Sequence, residues 1–208
     1  RSIITKNIAE LLSCDLFGNP HTYNFSNRES GFPPISIDCS DSVINPVYTI
    51  VKLEETFGSL DPNMDVVEIG CGFGIETKVY HDLVGYNTYT HVDIPDMLKL
   101  QSAYLSYFGI NNVDYINPYE DMDKAKGSYD LFISNFAYTE ISYEVQKLYF
   151  NDIVSKCRKG IIIGKIRPER KDRHGNCISK PQLDWFDNCF NTKIQKSLYK
   201  GGILYFWK

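Results

Sequence analysis

Residues 68–74 have the composition of a ligand-binding turn. They read Glu-Ile-Gly-Cys-Gly-Phe-Gly and follow the apolar pair Val66-Val67, so a short buried strand is predicted to run straight into three alternating glycines. Glycine lets the backbone bend sharply and approach a ligand closely, because no Cβ atom intervenes. A helix predicted from Ile75 would add free N–H groups at its start. We expect this turn to bind a ligand, with an ordinary strand-to-helix turn as the alternative.

The spacing of the glycines separates two classes of ligand. A dinucleotide-binding fingerprint has glycine at its first, third and sixth positions, and the sixth position here is Ile75. Three alternating glycines after an acidic strand end are instead typical of proteins that bind S-adenosylmethionine. The residues predicted to contact this cofactor in the turn are Glu68, Gly70, Cys71, Gly72 and Gly74.

Asp93 ends the second predicted strand of the same region. It follows Gly74 by 19 residues, the distance at which a nucleoside-binding α/β fold places a carboxylate against ribose hydroxyls. One carboxylate can accept a hydrogen bond from each hydroxyl of a diol. We therefore expect Asp93, with the adjacent Ile94, to bind the nucleoside; helix capping is the alternative role of the aspartate.

The turns after the third and fourth predicted strands carry further candidates. Tyr119 could stack on an adenine ring and Asn117 could bind a ring nitrogen, although Asn117-Pro118 could equally be a simple turn. Asn135 and Phe136 follow the fourth strand, which should neighbour the first. We predict that both contact the cofactor.

Three side chains are candidates for the chemical step. Transfer of a methyl group to a hydroxyl is an in-line displacement that depends on positioning, and the hydroxyl proton needs a base within hydrogen-bond reach. Glu140 is the first candidate base and His174 the second, while Tyr138 offers a hydroxyl in the same loop as Glu140. The alternative role of Glu140 is a carboxylate favoured by a helix N-terminus.

The cysteines and histidines do not show the spacing of a metal site. No Cys-x-x-Cys pair is present, and the four histidines are far apart. Zinc sites normally draw ligands from close pairs, so we predict no structural metal. No cluster of carboxylates indicates a divalent cofactor, and the sequence leaves the need for one open. Widely spread cysteines favour a reduced, cytoplasmic protein. The six cysteines are Cys14, Cys39, Cys71, Cys157, Cys177 and Cys189.

The composition limits the class of partner. The chain has 208 residues and a net charge of −4, which disfavours nonspecific binding to nucleic acid. No apolar run approaches the roughly 20 residues that a membrane span needs. A dense basic run at 165–174 could clamp the phosphates of a nucleotide-linked acceptor, or could be a solvated loop.

The pattern of the chain predicts an α/β fold. From residue 61 to 208, short apolar strands alternate with amphipathic helices, which indicates a mostly parallel sheet with helices on both faces. Two last β-rich segments joined by Gly201-Gly202 predict a C-terminal antiparallel hairpin. Residues 1–60 are predicted to form a helical and irregular extension that caps the acceptor side. Its predicted parts are helices at 2–12 and 46–57 and an irregular segment at 21–39.

The glycine turn together with Asp93 resembles the class I S-adenosylmethionine-dependent methyltransferases. More narrowly, segments between residues 45 and 165 resemble sugar O-methyltransferases: Asn45-Pro46-Val47-Tyr48, Val92-Asp93-Ile94-Pro95, Leu100-Gln101 and Ile133-Ser134-Asn135-Phe136-Ala137-Tyr138-Thr139-Glu140. The chain departs from that family at Cys71, Phe73 and Ile75, and residues 168–192 match no pattern.

The resemblance implies a Rossmann-like, seven-stranded class I methyltransferase fold and a defined reaction. A methyl group would pass from S-adenosylmethionine to a hydroxyl of a nucleotide-linked or glycan-attached sugar, such as a deoxy sugar, leaving S-adenosylhomocysteine. A protein, a lipid or another small molecule as acceptor, and a noncatalytic module that binds S-adenosylmethionine, are the alternatives. Ser134-Asn135-Phe136 lacks the Asn-Pro-Pro-aromatic signature of amino-group methylation. The sequence leaves the acceptor and the oligomeric state open.

Overall fold

The computed structural model of the chain describes residues 21–26, 36–125, 127–165, 170–171, 177–178, 186, 188–197 and 202–208. The chain divides into two compact units, one of residues 1–62 and 74–86 and the other of residues 63–73 and 87–208. The predicted helix at 2–12 and His174 lie outside the described residues. The boundary predicted at residue 60 stays a prediction.

The first unit contains a short antiparallel strand pair, β1 (Tyr23–Ser26) and β2 (Ser36–Cys39). The Asn24 amide links the two strands by donating to Ser36 Oγ at 3.0 Å and to Asp38 Oδ1 at 2.8 Å. The prediction of irregular structure at 21–39 is therefore wrong for these eight strand residues. Polar hydrogen bonds between the two strands contribute to this pairing. The alternation of apolar residues, from which strands are predicted, gives no sign of such bonds.

Two helices complete the described part of this unit, α1 (Asp41–Phe57) and α2 (Ile75–Leu83), and they pack against each other. Helix α1 begins at Asp41, so the prediction that Pro46 stands in its first turn is wrong. A proline inside a helix removes one backbone hydrogen bond. Burial of apolar side chains on both sides of Pro46 offsets this loss; these are Val43, Ile50 and Leu53.

The second unit is built on one seven-stranded sheet. Its strands, in chain order, are β3 (Asp65–Ile69), β4 (Thr88–Val92), β5 (Val113–Ile116), β6 (Tyr129–Asn135), β7 (Cys157–Lys165), β10 (Thr192–Lys196) and β11 (Gly202–Trp207). Their order in space is β10-β11-β7-β6-β3-β4-β5. A separate pair, β8 (Arg170–Lys171) and β9 (Cys177–Ile178), lies in the segment between β7 and β10.

The sheet confirms the predicted Rossmann-like fold. Strands β3 to β7 run parallel to one another, while β11 pairs antiparallel with both β7 and β10. The chain adds β4 and β5 on one side of β3 and then returns to place β6 on the other side. The strand order therefore reverses between β3 and β6, and ligands of such sheets bind beyond the carboxyl ends of the strands at this point.

Helices and aromatic packing hold this unit together. The helices of this unit that are described over their full length are α3 (Pro95–Tyr107), α4 (Ala137–Glu140) and α5 (Tyr143–Asp152), with 3-10 turns at Met122–Lys124 and Val154–Lys156. Trp207 packs against Phe132 and Phe186 with ring centroids 5.3 and 5.1 Å apart. Across the described ranges, no helix combines the length and the apolar character needed to cross a membrane.

Candidate functional site

The backbone of the glycine turn adopts the conformation for which glycine is needed. Gly70, Gly72 and Gly74 have φ angles of 76°, 53° and 99°, in the left-handed region that side chains disfavour. Gly70 N–H donates to the Val92 carbonyl at 3.1 Å, which joins the end of β3 to the end of β4. The predicted strand-to-glycine turn is thus confirmed as a backbone feature.

Gly70 and Gly72 need glycine for different reasons. A Cβ atom on Gly70 would lie 2.1 Å from the Ala137 Cβ, whereas a Cβ atom on Gly72 would meet no atom within 4 Å. The first glycine therefore permits close packing of the turn against the start of α4. The second one borders open space, which is the property expected where a ligand passes over the backbone.

Asp93 fastens the glycine turn to the end of β4. Its Oδ2 atom accepts hydrogen bonds from Cys71 N–H at 3.0 Å and from Gln101 Nε2 at 2.9 Å, and its Oδ1 accepts from Ile94 N–H at 2.8 Å. A carboxylate has about four acceptor positions, so these three bonds leave one on Oδ1. Asp93 has a structural role and retains room for one further donor.

Gln101 connects three parts of this arrangement. Its Nε2 donates to the Gly72 carbonyl at 2.8 Å as well as to Asp93, and its Oε1 lies 2.8 Å from His91 Nδ1. His91 is fully buried, and burial lowers its pKa to about 4 although the bond to Gln101 opposes this shift. Gln101 therefore couples the turn, the strand-end carboxylate and a neutral buried imidazole.

Glu68 and Cys71 point away from solvent. Glu68 is 2% exposed, and its Oε2 accepts a hydrogen bond from the Tyr89 hydroxyl at 2.9 Å. Cys71 is also buried, and its Sγ donates to the Glu68 carbonyl at 3.3 Å. These contacts place both side chains beneath the turn, while the turn backbone carries the exposed surface.

The predicted adenine-side residues differ in how accessible they are. Asn117 is buried, and its Oδ1 accepts from Tyr119 N–H at 3.2 Å, which is the turn-forming role of the Asn-Pro pair. Tyr119 is 77% exposed and Ile94 is 50% exposed. Burial, followed by the charges of Tyr119, Asp93 and Cys71, raises the pKa of the α5 residue Tyr149.

The end of β6 carries a strained residue. Phe136 has φ 67°, the single positive value among the described non-glycine residues, and its N–H donates to the Ile163 carbonyl at 2.6 Å. Positive φ in a bulky residue costs on the order of 1–3 kcal/mol and clusters at functional sites. Asn135 and Phe136 are both half-buried at the carboxyl end of β6, next to β3.

The three candidates for the chemical step lie in different environments. Tyr138 is fully buried and its hydroxyl donates to the Gln146 carbonyl at 2.9 Å, so it packs in the core. Glu140 is exposed at the end of α4, one helical turn after the Ala137 that lies against Gly70. His174 is outside the described residues.

Two further residues shape the site and were not among the site residues predicted from the sequence. Ser134 Oγ donates to the Ile69 carbonyl at 2.9 Å and accepts from Tyr138 N–H at 3.1 Å, which ties β6 to the start of the turn. Gln101 is the other. Gln101 follows Asp93 by about two helical turns, in helix α3, which begins just after Asp93. That spacing was the signal in the sequence from which its contact with Asp93 could have been predicted.

Comparison with known proteins supports the fold at low sequence identity. No protein-family profile matches the chain. The PH0226 protein of Pyrococcus horikoshii is similar in structure, with a TM-score of 0.58, 14% identity, and coverage of 81% of this chain and 92% of that one. A candidate O-methyltransferase of Nostoc punctiforme has a TM-score of 0.57 and 13% identity, and the match covers 79% of this chain and 56% of that one. An rRNA methylase of Streptococcus thermophilus has a TM-score of 0.51 and 15% identity, with coverage of 72% and 89%.

Proposed function

We propose that this chain is an S-adenosylmethionine-dependent methyltransferase that acts on a sugar hydroxyl. The observation that carries the proposal is the bonding of the glycine turn to Asp93 at the point where the strand order reverses. This is where a parallel α/β sheet binds nucleoside ligands. The methylase and the candidate O-methyltransferase that share the fold add support for the reaction class.

The residues of the site fit the parts of S-adenosylmethionine. Gly72 offers backbone beside open space, where the methionine half would lie. The remaining acceptor position on Asp93 Oδ1 suits a ribose hydroxyl, and a second bond to the diol would need one of the present donors to move. Tyr119 and Ile94 expose apolar surface on which an adenine ring could pack.

The chemistry divides between the cofactor and the chain. S-adenosylmethionine, when bound, would supply a methyl group on a positively charged sulfur; the acceptor oxygen would bond to the methyl carbon as the bond from that carbon to sulfur breaks, leaving S-adenosylhomocysteine. The chain's part is to align the acceptor and to take its proton, because alignment is a large share of the barrier in a displacement of this kind. Glu140 is our proposed base, since it is exposed and closely follows the β6 end and Ala137.

The proposal of a sugar as the acceptor rests on the resemblance of the segments between residues 45 and 165 to sugar O-methyltransferases. The acidic charge of −4 disfavours nonspecific nucleic-acid binding, although an rRNA methylase is among the structures with this fold. A noncatalytic module is the second candidate, and it predicts cofactor binding without turnover.

Incubation with methyl-labelled S-adenosylmethionine and a panel of nucleotide sugars tests the proposal. We expect label in a nucleotide-sugar product from the wild type, and much less from Glu140→Gln. Label found only on protein or nucleic acid would show that the sugar assignment is wrong. Cofactor binding without label in any acceptor would favour the noncatalytic module.

A further inference from the structure

Three buried side chains of different chemistry meet beneath the glycine turn. One possible ligand atom from each of Glu68, Cys71 and His91 lies within 4.8 Å of the other two. Glu68 and His91 are paired across the parallel strands β3 and β4, so their side chains share one face of the sheet. Cys71 joins them from the turn, three residues after Glu68, with its Sγ 3.3 Å from the Glu68 carbonyl. Their exposed fractions are 2%, 4% and 0% in chain order.

The hydrogen bonds of Gln101 determine which nitrogen of His91 can bind a metal ion. Both groups that receive the Gln101 Nε2 bonds, the Gly72 carbonyl and the Asp93 carboxylate, are acceptors. The Gln101 atom facing His91 Nδ1 is therefore the oxygen, and Nδ1 must carry the hydrogen. The lone pair of the neutral ring is then on Nε2. Histidine ligands of metals have this arrangement, with the second nitrogen donating to a fixed acceptor.

We propose that Glu68, Cys71 and His91 form a binding site for a thiophilic divalent cation, with Zn²⁺ as the preferred ion. Sulfur, imidazole nitrogen and carboxylate oxygen together match the ligand preferences of zinc. Ligand atoms around tetrahedral zinc are separated by about 3.5 Å, so the three donors need to move together by on the order of 1 Å. Three protein ligands leave a fourth position for water.

The position of the site has a structural consequence. A bound ion would join β3, the glycine turn and β4 through side chains, in addition to the backbone bond between Gly70 and Val92. Because the ion would bind the folded chain through residues that the unfolded chain holds apart, it would raise the unfolding temperature. This inference does not depend on the methyltransferase proposal.

Titration of chelator-treated protein with Co²⁺ tests the site by its spectrum. We expect one equivalent to bind with a thiolate-to-cobalt charge-transfer band in the near ultraviolet, and Zn²⁺ to displace it. Cys71→Ser should lose that band. Cys189→Ser is the matched control, because Cys189 is an exposed free cysteine, and it should keep the band. Absence of the band in folded wild type, or its persistence in Cys71→Ser, would overturn the proposal.

A second variant tests the role of His91 independently of Cys71. Gln101→Leu keeps all three ligands but removes the acceptor that orients His91. Loss of such a partner lowers metal affinity about 10- to 100-fold. Zn²⁺ affinity is measured by competition with a chromogenic chelator, and circular dichroism reports folding. An unchanged affinity in folded Gln101→Leu would contradict the proposed role of His91. S-adenosylhomocysteine binding, measured separately on the same samples, distinguishes failure of this site from failure of the cofactor site.

Discussion

Gly70 and Gly72 offer a matched pair of substitutions that separates packing from ligand access. Alanine at either position must adopt a positive φ, which costs about 1–2 kcal/mol. At Gly70 the new methyl group would also lie 2.1 Å from the Ala137 Cβ, whereas at Gly72 it would meet no atom within 4 Å. Overpacking of this kind adds about 1–3 kcal/mol. We therefore expect Gly70→Ala to lower the free energy of unfolding by about 1–3 kcal/mol more than Gly72→Ala.

Urea denaturation followed by circular dichroism measures this difference. With a slope of about 2 kcal/mol per M, the midpoint of Gly70→Ala should lie roughly 0.5–1.5 M below that of Gly72→Ala. The reduced freedom of the unfolded chain that accompanies any Gly→Ala change is common to both variants and cancels. The comparison therefore reports the packing against Ala137 alone.

A double variant tests the cause. Ala137→Gly removes the atom that the new methyl group would meet, so the cycle of Gly70→Ala and Ala137→Gly should show a favourable coupling of about 1–3 kcal/mol. S-adenosylhomocysteine affinity should follow the opposite order, with Gly72→Ala the more damaging variant because its methyl group enters the open space. Equal stabilities of the two single variants, together with no coupling in the double variant, would refute the packing argument.

Three further predictions concern single side chains. Gln101→Leu should lower the free energy of unfolding by about 3–5 kcal/mol, because it removes two hydrogen bonds between neutral groups and one hydrogen bond to the Asp93 carboxylate. A loss below about 1 kcal/mol in urea denaturation would contradict this prediction. Burial raises the pKa of Tyr138, so above pH 10 the native state keeps a proton that the unfolded state releases, and the free energy of unfolding should fall as the pH rises above 10. Tyr138→Phe should lessen this fall by up to about 1.4 kcal/mol per pH unit, and an unchanged slope in this variant would argue against the buried hydroxyl as its cause. Glu140→Gln should cut turnover by about 10²- to 10⁴-fold with cofactor affinity retained, and an unchanged rate would remove Glu140 from the mechanism.

The sheet and the glycine turn could be predicted because local sequence determines them. Short apolar runs such as Ile161-Ile162-Ile163 differ clearly in sequence from the helical segments that separate them. This run lies within β7, which spans Cys157–Lys165. The alternating glycines predicted a turn whose φ angles are indeed positive. These features depend on neighbours in sequence, and sequence patterns report such neighbours well.

The remaining features depend on contacts between distant parts of the chain. The start of α1 at Asp41 was missed because a proline normally marks a first turn, and only the burial of Val43 and Ile50 shows that the helix continues across it. The role of Gln101 was missed for a similar reason. Gln101 becomes informative only when α3 returns its amide to the turn, and the Glu68–Cys71–His91 group forms only when β3 pairs with β4.

Calorimetric titration with S-adenosylhomocysteine tests the central claim most directly. The wild type should bind this product analogue with a measurable heat and one site per chain. Gly72→Arg should fold, because no atom lies within 4 Å of the new Cβ, but should show no binding since its side chain fills the open space beside the turn. Absence of heat in folded wild type, or binding by Gly72→Arg that equals the wild type, would contradict the assignment of the glycine turn and Asp93 to the cofactor.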